Sequence, residues 1–216
     1  MFIASKSSIG IRWRRGTKSS RRATTQGGKT MKKLFAATLA LAALQALAND
    51  AALIEETKKT ALSIPPKLLQ MVQEEINKGS HDGAIAACND KAPKMAAAAS
   101  QNTGWAIRRV SLKNRNPKAV PDAWERAVLE DFDRRRAAGE SPANMEKAEI
   151  VAEGDKRVLR YMKALPTQGL CLDCHGTDDK INPAVKAKLT ELYPNDKATG
   201  YSEGQIRGAL TVKRPL

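Results

Sequence analysis

Residues 170–176 read Leu-Cys-Leu-Asp-Cys-His-Gly, and no other stretch constrains the fold as tightly. Two thiols three positions apart, followed at once by a histidine, form the C-x-x-C-H pattern by which c-type haem is attached. Each thiol at this spacing adds to one haem vinyl group, and the adjacent histidine then lies under the iron as its proximal ligand. A chain that carries the pattern has to fold around that group. With three cysteines and two histidines in 216 residues, the arrangement rarely arises by chance. The residues therefore predict one covalent haem c, anchored by Cys171 and Cys174 and ligated by His175.

Two other readings of the same cysteines compete. A C-x-x-C pair also serves as a disulfide or as a redox-active dithiol in an oxidising compartment. Against this, Pro166 to Gly176 reads as a loop, without a helix N-terminus to stabilise a thiolate. Zinc would need more ligands than His81 and Cys88 readily add.

Haem attachment takes place outside the cytoplasm, and the N-terminal region meets that requirement. From Met31 come two lysines, an apolar run from Leu34 to Ala48 and the small-residue end Ala46-Leu47-Ala48. These are the three parts of a secretory signal peptide, residues 31–48, with cleavage after Ala48 and Asn49 as the mature start. The expected location is the periplasm. The apolar run falls short of the ~20 residues that a membrane span needs, so no stable span is expected after cleavage. No cysteine follows at once, which argues against a lipid anchor. Residues 1–30 are basic and Ser/Thr-rich, an over-extended start or a basic leader. The formal charge of +14 invites a nucleic-acid reading. Ten of the 37 Lys/Arg and none of the 23 Asp/Glu fall in residues 1–48, so the remainder carries only +4. No nucleic-acid partner is expected.

The mature domain, residues 49–216, predicts an α+β fold. Apolar residues at helical spacing over 51–78, broken by Pro65 and Pro66, predict two helices. A helix from Gly83 through Cys88 and another from Pro93 to Gly104 follow, the second with an alanine run over Ala96 to Ala99. That run either leaves room for a large group or makes a tight helix contact. Trp105 to Leu112 reads as a strand. Pro121 and Asp122 open an amphipathic helix with Trp124, Val128, Leu129 and Phe132 on its apolar face, ending at solvated Arg134 to Arg136. Glu149–Ala152 and Arg157–Leu165 form a hairpin across Gly154-Asp155. Ile181 to Tyr193 is a helix and Gly208 to Lys213 a closing strand. Helices mixed with neighbouring strands imply an antiparallel sheet flanked by helices.

The second axial position is open on chemistry alone, with Cys88, His81, Met71, Met95, Met145 and Met162 as candidates. His81 lies seven residues before Cys88, a spacing that shares a helix face, with Gly83 expected to interrupt the helix. Arg108, Arg109, Arg115 and Arg160 are candidates for pairing with haem propionates.

Four stretches carry a resemblance: Ala84 to Met95 (AIAACNDKAPKM), Trp105 to Trp124 with its RRVSLKNRNP turn, Leu170 to Gly176, and Tyr193 to Pro215. The chain resembles the PAS-like c-type haem proteins, an exported or sensor-linked family long catalogued as a domain of unknown function. The resemblance implies a PAS-like sheet flanked by helices. It also implies Cys88, just before an Ala-Pro step, as the distal iron ligand opposite His175. An anionic thiolate there would stabilise ferric iron and lower the potential.

Six-coordination by protein leaves no open site for a substrate, so the expectation is a non-enzyme. Low-potential electron transfer to a redox partner protein leads, and a redox or diatomic-gas sensor acting through a partner is the alternative. A haem-free thiol oxidoreductase using Cys171 and Cys174 is the third class.

Overall fold

The computed structural model describes residue 45, residues 47–79 and residues 81–216. The leader and signal-peptide readings therefore lie outside the described residues except at 45, 47 and 48. Of two compact units, Met1–Leu47 and Ala48–Leu216, the second carries the sheet and the cavity. Among the described residues no helix is long and apolar enough to cross a membrane.

Helix α1, residues 48–62, and α2, Ile64–Asn77, are separated at Ser63. The break falls where the two prolines demand it, because Pro65 occupies the first turn of α2, where no amide donor is needed. Helix α3, His81–Ala86, then runs without interruption into a π turn, Ala87–Lys91, and on into α4, Ala92–Thr103. Two sequence expectations change here. Gly83 lies inside α3 and does not interrupt it, and the separate helices expected from Gly83 through Cys88 and from Pro93 to Gly104 form one helical stretch. The π turn has a local cause. Pro93 has no amide hydrogen for the preceding turn, and the Ala92 amide reaches back five residues to the Ala87 carbonyl.

Strands β1 (Ala106–Val110), β2 (Glu146–Glu153), β3 (Lys156–Pro166) and β4 (Ile206–Pro215) form one antiparallel sheet in the order β1-β4-β3-β2. The β2–β3 hairpin turns at Gly154-Asp155, with Gly154 at φ +61°. Helix α5, Ala123–Ala137, starts at a capping box in which Asp122 and Glu125 each accept the other's amide at 2.9 and 2.8 Å. Its Val128, Leu129 and Phe132 pack on one face of the sheet with Val110, Met145, Met162 and Ala209. Glu125, 2% exposed, also accepts from Arg108 of β1 at 2.5 Å and Thr211 of β4 at 3.0 Å, tying α5 across two strands.

The opposite face carries Ile107, Tyr161, Leu210 and Val212, covered in part by Ala61 of α1 and by α4. Ala99 packs into this cluster, so the alanine run serves as a close packing surface. The α+β reading, a PAS-like antiparallel sheet flanked by helices, is the observed architecture.

One irregularity in β4 changes which side chains reach this opposite face. Leu165 pairs with Gly208 but Pro166 pairs with Ile206, so Arg207 is an extra residue in the ladder. A bulge of this kind re-aims side chains. It puts Ile206 and Ala209 on the α5 face although they are three apart, and frees Arg207 for the other side. Gly208 adopts φ +154°, and a Cβ there would run into the Val110 carbonyl oxygen. Gly208→Ala should therefore destabilise the domain by about 2 kcal/mol or more, measured as a lowered urea midpoint with unchanged slope.

Candidate functional site

Helix α6, Leu172–His175, and α7, Pro183–Leu192, bring the C-x-x-C-H segment beside α3. Ile85 of α3 packs with Ile181, Val185, Leu189 and Tyr193, and Cys174 rests against this cluster. Pro166 to Gly176 is thus less of a loop than expected, since a 3₁₀ turn over Gly169–Cys171 continues into α6. The turn ends at Gly176, where a Cβ would lie 2.6 Å from the Leu172 carbonyl oxygen and only glycine fits.

A cavity of about 370 Å³ opens between α2, α3, the π turn and the uncovered part of the sheet. Cys88, Cys171, Cys174 and His175 all line it, although Cys88 comes from a segment more than eighty residues away. Its walls are apolar, with Leu68, Leu69, Val72 and Ile76 of α2 on one side and Leu165, Leu170 and Leu210 on others. Helix α2 is strongly amphipathic, yet none of its residues is buried. Its apolar face is turned to the cavity, so something else must cover it.

His175 is held from behind. Its Nδ1 lies 2.6 Å from the Ala198 carbonyl oxygen and 3.2 Å from Arg207 Nε. One ring nitrogen cannot both donate and accept. The shorter contact is to an oxygen that only accepts, so Nδ1 carries the proton and Nε2 keeps the lone pair. That is the tautomer of a metal-ligating histidine, which donates its other N–H to a backbone carbonyl. Burial, followed by Arg207 and Arg115, holds the imidazole pKa well below its usual range, so the ring is neutral.

The support extends further. The Gly200 and Tyr201 amides donate to the Gly176 and His175 carbonyls at 2.7 and 2.9 Å. Asp196 accepts from the Ala198 amide at 2.8 Å and from Arg115 Nε at 2.8 Å, and Arg115 Nη2 donates to the Cys174 carbonyl at 2.6 Å. Arg115 is only 8% exposed.

The other iron-ligand candidates separate cleanly. Met145 and Met162 are fully buried in the α5-side core, and Met71 and Met95 do not line the cavity. His81 and Cys88 both line it, His81 half-buried. Cys88 sits in the π turn, whose Asn89 accepts from Tyr193 Oη at 2.8 Å. Among the arginines, Arg108 and Arg160 bond Glu125 and Asp122, each at 2.5 Å, and do not line the cavity, whereas Arg109 and Arg115 do. Arg207 also lines it, and sequence reasoning missed it. The signal was available in Ile206-Arg207-Gly208, since a glycine inside a strand marks a bulge.

Burial pushes the Cys174 thiol up to about 11 and raises Cys88 against the pull of Arg109, Arg115 and Arg207. Burial thus disfavours the reactive thiolate at both Cys174 and Cys88. In chain produced without haem, Cys174 should alkylate at mildly alkaline pH about a hundredfold more slowly than an ordinary thiol, with the rate rising until pH passes its pKa. Mass spectrometry of labelled peptides measures this, and an ordinary rate would show that burial does not suppress the Cys174 thiolate.

No curated protein matches the chain. The crystal structure of the cyanobacterial haem protein Tll0287 is similar, with 26% sequence identity and a TM-score of 0.57 over 74% of this chain and 95% of that one. The family model of the Tll0287-like proteins matches residues 24–215. Over nearly its whole length, therefore, this chain belongs to the Tll0287-like family.

Proposed function

We propose that the chain is an exported, mono-haem c-type protein of the periplasm that works in low-potential electron transfer with a redox partner protein. The observation that carries this reading is the cavity itself. One apolar space gathers two cysteines at attachment spacing, a histidine in the ligating tautomer and a third thiol. The amphipathic α2 has an apolar face that a porphyrin would cover. The similarity to a haem protein supports the same cofactor.

When bound, the haem supplies a one-electron iron couple. Cys171 and Cys174 hold it by thioether bonds, and His175 Nε2 ligates the iron from the side braced by Ala198. Cys88 would be the distal ligand, held as thiolate in spite of its burial because a coordinating thiol is deprotonated by the metal's charge. The negative thiolate favours the oxidised state and makes the potential low. With both axial positions taken by protein, electron transfer is favoured over substrate chemistry, and an enzyme role is not proposed.

A second reading has one specific observation behind it. Cys88 lies in a π turn, a helix irregularity common at functional sites, and a shift of that turn would release the ligand on reduction. The protein would then sense redox state or a diatomic gas and signal through a partner.

The alkaline pyridine spectrum of purified protein should show a c-type haemochrome band, and its absence would reject the cofactor. Cys88→Ser should alter the ferric spectrum and raise the potential, and an unchanged spectrum would remove Cys88 from the iron. Stopped-flow reduction under carbon monoxide separates the two roles: unchanged six-coordination accords with electron transfer, and prompt gas binding with sensing.

A further inference from the structure

Among the described residues three arginines are less than a tenth exposed: Arg115, Arg160 and Arg207. Arg115 pairs with Asp196 at 2.8 Å and Arg160 with Asp122 at 2.5 Å. Arg207 has no carboxylate within ion-pair distance among the described residues. Its Nη1 donates to Ser111 Oγ at 3.2 Å and to the Lys113 carbonyl at 3.3 Å. Its Nε faces a His175 nitrogen that already carries a proton, and its Nη2 makes no hydrogen bond among the described residues. Arg109 lines the same cavity, half-buried, and its side chain makes no hydrogen bond or ion pair among the described residues.

A guanidinium taken out of water without a counter-charge is strongly disfavoured, and a second one nearby adds repulsion. Burial and then Arg109 pull the Arg207 pKa down to about 10, so it stays charged at neutral pH. The sheet irregularity is what creates this arrangement. Arg109 lies opposite Leu210, which lines the cavity, and the bulge turns Arg207 to that side. Neither guanidinium has a carboxylate partner among the described residues, and Arg207 has only the Tyr201 ring at 5.5 Å beside it, so an anion in the cavity would complete both.

We infer that Arg109 and Arg207 form a carboxylate clamp that receives the propionates of the proposed haem, and the inference rests on that cofactor reading. Guanidinium N–H groups make short charge-assisted bonds to carboxylates, which suits Arg207 with its free Nη2. The charges also balance. A ferric haem with two ionised propionates carries one net negative charge and the Cys88 thiolate a second, against two guanidinium charges. Arg115 stays outside the count because Asp196 neutralises it.

The test uses the full haem-bearing chain and Arg109→Gln, Arg207→Gln, Arg207→Lys and the double glutamine variant. The readouts are the propionate bending mode in resonance Raman spectra and the midpoint potential, with haem stoichiometry and axial-ligand bands as controls. The glutamine variants should keep haem and axial bands, shift the propionate mode, and lower the equilibrium constant for reduction roughly tenfold per charge removed. Arg207→Lys should shift the mode while leaving the potential near wild type, because it keeps the charge and loses the guanidinium. Should Arg207→Gln fail to accumulate, Arg109→Gln decides, since its side chain has no protein bond to lose. An unchanged mode and potential in a haem-loaded Arg109→Gln would overturn the clamp and leave the haem reading intact. A wild-type protein without a haemochrome band would overturn both.

Discussion

The hydrogen bond from His175 Nδ1–H to the Ala198 carbonyl, at 2.6 Å, sets the side chain on which the rest of the pocket is built. It fixes the ring plane and the tautomer together, and leaves one lone pair directed away from the brace. Ala198 is held in turn by Asp196, Asp196 by Arg115, and Arg115 grips the carbonyl of Cys174, next to the histidine. The bonds close a loop that begins and ends in the C-x-x-C-H segment. Loosening any member would release the ring. Because Arg115 is buried, loss of its partner would also strand a charge in an apolar setting, so the loop acts as a unit.

The sheet divides the domain into two unlike halves. On the α5 side, Phe132, Leu129, Met145 and Met162 leave almost nothing exposed, and the Glu125 cluster pins helix to strands. On the other side α2 has no buried residue of its own. One half is a closed core, whereas on the other α2 turns its apolar face to the cavity. A ligand that binds only the folded state adds its binding free energy to stability, so α2 should be the element whose order depends most on the cavity's content. The charge distribution follows the same division: carboxylates neutralise the arginines on the α5 face, whereas Arg109 and Arg207 face the cavity without one.

Local signals read well. Pro65 and Pro66 marked the α1–α2 break, Pro121 and Asp122 the start of α5, and Gly154-Asp155 the hairpin turn. What failed were inferences about how a local irregularity resolves. Gly83 looked like a helix break because its helix cost is real, but packing of Ala84 and Ile85 outweighs roughly 1 kcal/mol. Cys88 to Pro93 looked like a gap between helices, yet the proline is absorbed by widening one turn. The segment before His175 looked like a loop because four residues of helix are too few to show periodicity.

By itself, the sequence determined the C-x-x-C-H spacing, the α+β class and the placement of most elements, because each depends on residues within a few positions of one another. It left six candidate donors for the second axial position and four arginines for an anionic edge. Only the tertiary structure narrowed these. It put Met145 and Met162 in the α5 core, sent Arg108 and Arg160 to Glu125 and Asp122, and gathered Cys88 and His81 with His175. It also brought in Arg207 through one extra residue in β4. The reason is that a cavity is assembled by pairings between strands and helices far apart in the chain, and which face a side chain takes depends on a register that spacing alone does not reveal.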